Sequence, residues 1–566
     1  MTIHPGSEFG SGEYFNLGTF HKPITTSSPE AQKWFDRGLV WCFGFNHHEA
    51  IRCFERAVAV DPECAMAYWG TAYALGPNYN KPWSMFDKEE KDNIIKKAVD
   101  SLTQAQKKSS LATPVEQALI NALQSRFPQP QETDSRSKPL PLNQRYAHAM
   151  ESVYQKHAED LDVAALYVDA LMNVTPWKLW DLKTGAPVPG ARTLEAQSIL
   201  EKALAKDQYH PGLIHLYIHL MEMSSHPEVA LRVADNLRGL VPDAGHLNHM
   251  PSHIDILCGD YRRAVAANSQ AVVADEKFVQ YAGPMNFYSL YRCHDYHFRI
   301  YAAMFAGQSA VALDTVVRLE QSLPESLLRV ESPPMADWLE GFLAMRVHVL
   351  IRFGRWQDII DLEIPKDTGL YCTTTAMIHY AKGVALAATG HVPAAEEQRG
   401  LFQQAVKAVP ESRTLFNNSC RDLLAIAASM LDGELEYRRG NWDTAFAMLR
   451  ESIERDDALP YDEPWGWMQP TRHAYGALLL EQGRVDEAAA VYAADLGFDD
   501  TLPRALQHRN NVWSLHGFYE CLNKLGRVKE ARIIKPQLEL AMAVADVPIR
   551  SSCFCRTRTA ISNSKL

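Results

Sequence analysis

A helix–turn–helix pattern recurs along this chain, and it leaves room for few folds other than stacked helix pairs. Its clearest copy is residues 31–64, AQKWFDRGLVWCFGFNHHEAIRCFERAVAVDPEC. Apolar residues return there at helical spacing on two successive segments. A turn near Asn46 separates the segments, and small residues at Gly38 and Ala50 let them approach closely. Pro62 ends the second, because proline has no N–H with which to continue a helix. Further turn-then-helix copies fall around Ala230, around Ala264 with Gly259 at the turn, and around Ala312 with Pro324 closing it. Later ones are FGRWQDII, TGHVPAAEEQ, RGNWDTAFAMLRESI, QGRVDEAAAVY and LGRVKEARII. Their spacing is irregular, and no segment reads as strand-rich. The expected architecture is all-α, a superhelical solenoid of stacked helix pairs with degenerate repeats and insertions.

Trp34, Gly38, Trp41, Ala50, Phe54, Ala57 and Pro62 hold the signature places of one repeat in register, and the stretch resembles a tetratricopeptide repeat. Over most of residues 15–530 the chain also resembles a poorly characterised family that includes tetratricopeptide repeat protein 38. That resemblance rests on FNHHEAIRCFERAVAVDPECAMAYWGTAYALGPN, ALMNVTPWKLWD, HPGLIHLYIHLMEMS, AGHLNHMPSHI, HDYHF and RHAYGALLLEQGR. It implies the fold and supplies no reaction. The expected organisation is an N-terminal segment (1–30), N-terminal repeats (31–126), a Pro-rich flexible loop (127–143), central repeats (144–325), C-terminal repeats (326–545) and a tail with a Cys-x-Cys pair (546–566).

Histidine is concentrated in the central repeats. Residues 210–297 hold His210, His215, His219, His226, His246, His249, His253, His294 and His297, nine of the 21 in the chain. An even spread would put about three there. His215, His219 and Glu222 are spaced i, i+4, i+7; His246, His249 and His253 i, i+3, i+7; His294 and His297 i, i+3. Each set falls on one face of a helix, at about 100° per residue. On the tetratricopeptide frame these positions match the places that face the concave channel in that family, which implies three consecutive helices pointing imidazoles into one groove. His210 and His226 sit at helix ends, where capping or loop contacts are expected, and His47 and His48 at a turn read as structural. His473 and His516 fall on channel-facing places of later repeats.

Imidazole is a common metal ligand, and a set rich in neutral imidazole and poor in carboxylate suits copper, iron or zinc better than Mg²⁺ or Ca²⁺. His215, His219, His246, His249, His253, His294 and His297 are therefore the expected metal ligands. Seven are more than one zinc needs. Two metals with about three imidazoles each would use them, in a ligand chemistry like that of the dicopper proteins tyrosinase and hemocyanin. The expected function is an oxidase or oxygenase that activates O₂ at copper, or alternatively iron, and acts on a small molecule. Glu222, Tyr217 and Tyr296 are its candidate catalytic residues. The competing expectations are a scaffold that binds a protein or peptide partner in the groove, and a zinc-dependent hydrolase or lyase with Glu222 as base.

Composition narrows the classes further. The net charge of −11 and the absence of a Lys/Arg-rich run argue against a nucleic-acid partner. No run of about 18 apolar residues is present, so no membrane span is expected. The N-terminus has no secretory pattern, and the ten cysteines are mostly scattered singly, as in a reducing, cytoplasmic protein. Cys553 and Cys555 stand apart, either as surface thiols on a tail or as further ligands on a tail that folds back. Trp465 and Trp467 read as loop packing or as the wall of a pocket.

Overall fold

The computed structural model describes residues 14–128 and 141–557. Most of the loop expected over 127–143 lies outside the described residues, as do residues 1–13 and 558–566. The described chain is all-α, in successive antiparallel helix pairs. Its only strands among the described residues are Thr414–Leu415 and Asn418–Ser419, which pair antiparallel. No helix among these residues is long and apolar enough to cross a membrane.

The chain forms two compact units. One is Met1–Ile254 with Gln270–Arg292; the other is Asp255–Ser269 with Cys293–Leu566. The division falls inside the central block expected over 144–325.

In the first unit, helix Pro29–Phe43 starts at Ser28, whose side chain accepts the Ala31 N–H, with Pro29 at the first helical place. Asn46 caps His47–Val60 in the same way, by accepting the Glu49 N–H. Helix Ala65–Leu75 follows. The fully buried Phe54 ring explains why these three lock together. A Cβ added at Gly38 would stand 2.6 Å from that ring, and one at Gly70 2.5 Å. An aromatic side chain of the second helix thus fills the space left by glycines on both flanking helices. The segment before Pro29 packs here too, with Lys22 paired to Asp160 at 3.1 Å and Asp162 at 3.2 Å.

The second unit repeats the device. Helices Thr471–Glu481, Val485–Leu496 and Val512–Lys524 meet at Tyr492, and a Cβ at Gly476 or Gly517 would lie 2.6 Å or 2.4 Å from its ring. Four of its helix pairs turn on a left-handed glycine: Gly390, Gly440, Gly483 and Gly526, with φ of +87°, +83°, +76° and +70°. Those are the Gly of TGH, RGN, QGR and LGR in the sequence copies, and the positive φ is the reason glycine stands there.

The described part of the C-terminal tail is not a surface appendage. Residues 551–556 fold back into the second unit, Cys553 and Cys555 are buried, and the two are joined in a disulfide. The expectation of surface thiols is corrected accordingly. The other eight cysteines form no disulfide.

Candidate metal centre

The first unit gathers His215, His219, Glu222, His246, His249 and His253. All six are at most 1% exposed. His215, His219 and Glu222 share one face of helix Pro211–Glu222, as their spacing predicts. His210 caps that helix: its Nδ1 accepts the Leu213 N–H at 3.2 Å, and its Nε2 meets Asp162 at 3.1 Å. The other three do not share one helix. Pro251 splits the run into Gly245–His249 and Pro251–Cys258. The turn between them tightens, with the His253 N–H reaching the Met250 carbonyl at 3.2 Å. Gly245 is required at the start, because a Cβ there would sit 1.9 Å from Asp275 Oδ1. The His246 N–H then donates to the Tyr288 hydroxyl at 3.2 Å, which itself donates to Asp275 at 3.0 Å.

The hydrogen bonds fix how the imidazoles present themselves. His215 Nδ1 lies 2.5 Å from the Phe43 carbonyl oxygen. A carbonyl only accepts, so Nδ1 carries the proton and Nε2 is a bare lone pair. That Nε2 is buried and has no hydrogen-bond partner among the described residues, and neither has His219 Nε2. Glu222 serves two rings at once. Oε1 takes His219 Nδ1 at 2.9 Å and Oε2 takes His253 Nδ1 at 2.5 Å. His253 Nε2 in turn faces His249 Nε2 at 2.6 Å. Burial, with His219 adding, holds His215 well below the usual imidazole range, and burial pushes His219 down to about 3. Both rings are therefore neutral at physiological pH. Burial drives the Glu222 carboxyl well up, while the two imidazole N–H groups on its oxygens favour the carboxylate.

Within the first unit's described residues, two groups of three stand within ligand range. The ligand atoms of His215, His219 and His246 lie within 4.8 Å of one another, and so do those of His219, Glu222 and His253. Imidazoles on one ion at about 2.1 Å sit roughly 3.5 Å apart. A contraction of about an ångström closes the first group on an ion.

Aromatic rings wall the cluster. Phe45 lies 4.5 Å, 5.9 Å and 5.5 Å from the rings of His215, His219 and His246, and Tyr291 4.9 Å from His246. Tyr79 and Trp177 stand 5.0 Å and 5.7 Å from His219. A cavity of about 20 Å³ adjoins His215 and Phe45.

Of the remaining expected site residues, Tyr217 belongs to the first unit and His294, Tyr296 and His297 to the second. Tyr217 is turned off the histidine face, and its hydroxyl donates to Glu201 at 3.3 Å. His294, Tyr296 and His297 lie on the part of helix Ser289–Phe305 that belongs to the second unit. His294 packs on Phe416 at 4.9 Å, and His297 on Phe342 at 5.3 Å. Burial, with His348 adding, pushes His297 down to about 3. Both nitrogens of His473 are engaged in the second unit, by Arg352 at 2.8 Å and Asp495 at 3.0 Å. His47 is structural, with Nδ1 on the Ala74 carbonyl at 2.8 Å. Trp465 donates to Asp456 at 3.0 Å, and Trp467 packs on His348.

No family model and no curated protein matches this chain. Among solved structures it is similar to a chain of the APC/C hetero-tetramer Cut9-Hcn1, at 13% identity over 84% of this chain and 74% of that one, with a TM-score of 0.31. It is also similar to a monomeric IFIT1 mutant with m7Gppp-AAAA, at 11% identity over 84% of this chain and 90% of that one, TM-score 0.36. A third is a chain of Naa15/Naa10 bound to HypK-THB, at 12% identity over 90% and 70%, TM-score 0.20. At these scores the likenesses carry no argument, and the fold rests on the helix pairs themselves.

The orienting and walling groups are the part that spacing does not reveal. The Phe43 carbonyl and the Phe45 ring come from a turn 172 residues away from His215 in sequence. Their one unusual trait is conformational. Phe45 and Trp177 hold φ of +55° and +60°, rare for bulky side chains.

Proposed function

We propose that this is a metal-binding helical-repeat protein that holds a transition-metal ion on His215, His219 and His246, with His249 and His253 as a half-site beside it. The observation that carries the proposal is the His215 tautomer. The Phe43 carbonyl takes the Nδ1 proton, and a buried Nε2 lone pair is left facing a second one on His219. An unsatisfied buried acceptor costs about 1–3 kcal/mol, and a cation held between two of them removes that cost. Metal-bound histidines characteristically give their other N–H to a carbonyl or carboxylate, and here Phe43 and Glu222 are those acceptors.

Neutral imidazole selects copper, iron or zinc over Mg²⁺ and Ca²⁺. A redox metal here would supply one-electron exchange with O₂, which is the reading of an oxidase or oxygenase. The burial of the cluster and the small cavity beside His215 support a reactant of diatomic size. The hydrolytic zinc reading has less support, because both Glu222 oxygens are occupied and neither is free to act as a base. The partner-binding reading draws on the helix-pair architecture. A partner would dock on other surfaces, since the histidines are enclosed.

The test is metal loading with Cu, Fe and Zn in turn, dialysis and elemental analysis, on the parent protein and on His215→Ala and His219→Ala. One or two equivalents of one metal, lost in both variants at unchanged helicity, is the expected result. Failure to retain any of the three metals ends the proposal and leaves partner binding as the function to pursue.

A further inference from the structure

The Cys-x-Cys pair of the tail lies in the second unit, where the metal proposal gives it no part. Cys553 and Cys555 both line a cavity of about 40 Å³, together with Tyr380, Met430, Trp467 and His473. Most thiols of the chain are sealed in helix packing, whereas this disulfide borders open space. The tail around it is held from outside the pair. Arg352 donates to the Ser552 carbonyl and Arg438 to the Cys555 carbonyl. The Ser552 hydroxyl donates to the His473 carbonyl at 2.7 Å, and Arg556 grips Glu520 through two bonds of 2.7 Å and 2.9 Å. The segment therefore keeps its place without needing the S–S bond, which is the condition for a disulfide to open and close in a folded protein. The chemistry of the pair is also prepared. The Cys555 N–H points at Cys553 Sγ, 3.2 Å away, and two guanidinium groups end on the tail backbone. A thiolate at Cys553 is stabilised by that N–H, and a stabilised thiolate is the better leaving group.

We propose that Cys553 and Cys555 are a redox-active pair that exchanges with a small aliphatic thiol entering this cavity. The incoming thiolate attacks Cys555 Sγ, the Cys553–Cys555 bond breaks, and Cys553 leaves as the thiolate held by the Cys555 N–H. A second small thiol then attacks the mixed disulfide and releases Cys555 and the small-molecule disulfide. Two electrons pass from two thiols to the protein pair, and the two protons those thiols lose end on the two cysteines. The reverse direction oxidises two small thiols. The cavity volume sets the size of the reactant. About 40 Å³ is room for roughly three water-sized groups, enough for a cysteine-sized side chain and too little for the loop of a folded dithiol protein.

The experiment equilibrates the native full-length chain with L-cysteine and cystine at a series of ratios, traps thiols by alkylation without denaturant, and locates the label by peptide mass spectrometry. The expected result is joint labelling of Cys553 and Cys555 along a single two-electron curve, with most of the other eight thiols unlabelled. A folded dithiol reductant at the same potential should act at least tenfold more slowly. The Cys553→Ser variant should form a mixed disulfide at Cys555 with cystine, which excess L-cysteine reverses. The proposal is overturned if the pair stays oxidised in excess cysteine until the protein is unfolded. It is equally overturned if both cysteines are already free after equilibration with cystine alone.

Discussion

Glu222 is the most informative residue to perturb, because its two oxygens hold two different histidines. In Glu222→Gln the side chain keeps its length and volume but offers one carbonyl oxygen and one NH₂. The oxygen can still accept Nδ1–H from either His219 or His253, at the present 2.9 Å or 2.5 Å. The NH₂ then meets the other Nδ1 and forces that ring into the opposite tautomer, with its proton on Nε2. A protonated Nε2 is no ligand. Losing one orienting partner typically costs 10–100-fold in metal affinity, about 1.4–2.8 kcal/mol. Glu222→Ala removes the orienting partner of His219, the one proposed ligand that Glu222 holds, so its cost should be of the same order, roughly 10–100-fold. The assay is competition for the metal against a chromogenic chelator, read beside far-UV circular dichroism to show that the helices persist. Affinities within twofold of the parent for both variants would refute the orienting role, and with it the idea that hydrogen bonds preset the Nε2 lone pairs.

Other consequences are open to equally direct measurement. Loading the preferred metal at 100 times its dissociation constant should stabilise the first unit by about 2.7 kcal/mol, seen as a rise in its thermal midpoint that His219→Ala abolishes. Tyr217→Phe should leave metal stoichiometry and affinity unchanged, since that hydroxyl is bonded to Glu201; a tenfold change in a chelator titration would contradict this placement. Gly517→Ala pushes a methyl to 2.4 Å from the Tyr492 ring and should cost about 1–3 kcal/mol in urea melts without altering metal content. Burial, with Asp457 adding, raises the Asp456 carboxyl from 3.8 to about 7. The folded state thus favours the protonated form. That stabilisation is complete below about pH 4 and is lost as the pH rises through 7, by up to about 4 kcal/mol at about 1.4 kcal/mol per unit. The difference in unfolding free energy between the parent and Asp456→Asn should drift over that window, and a constant difference from pH 4 to pH 8 would show that Asp456 titrates normally.

The repeat was readable because its constraints are local. Gly38 with Phe54, the turn at Asn46 and the stop at Pro62 are all set within one stretch of chain, and the turn glycines each announce a positive φ. The histidine face of Pro211–Glu222 was readable for the same reason. Tyr217 stands two residues from His215, about 200° around the helix, so its place on the opposite face follows from the same rule that groups the histidines. Pro251 likewise marked a break between His249 and His253. The role of Glu222 was out of reach, since spacing shows that a carboxylate shares the face but not that both its oxygens are taken. The course of the tail was equally hidden, because Ser552 and Cys555 are tied to Arg352 and Arg438, which lie 200 and 117 residues earlier.

What sequence could not reach at all is the backbone strain beside the cluster. A bulky residue in the left-handed region costs on the order of 1–3 kcal/mol and persists only where its surroundings over-determine it. Four non-glycine residues of the described chain have a positive φ, and three are aromatic residues packed on histidines: Phe45 and Trp177 in the first unit and Phe416 in the second. At Phe45 the purpose is visible. The +55° turn follows Phe43 closely, so the same bend that directs the Phe43 carbonyl to His215 also lays the Phe45 ring across His215, His219 and His246. Relaxing that turn would free the His215 tautomer and open the wall together. The first two helices and the turn between them thus build the repeat and also preset the histidine cluster, which is why neither can be changed there without the other.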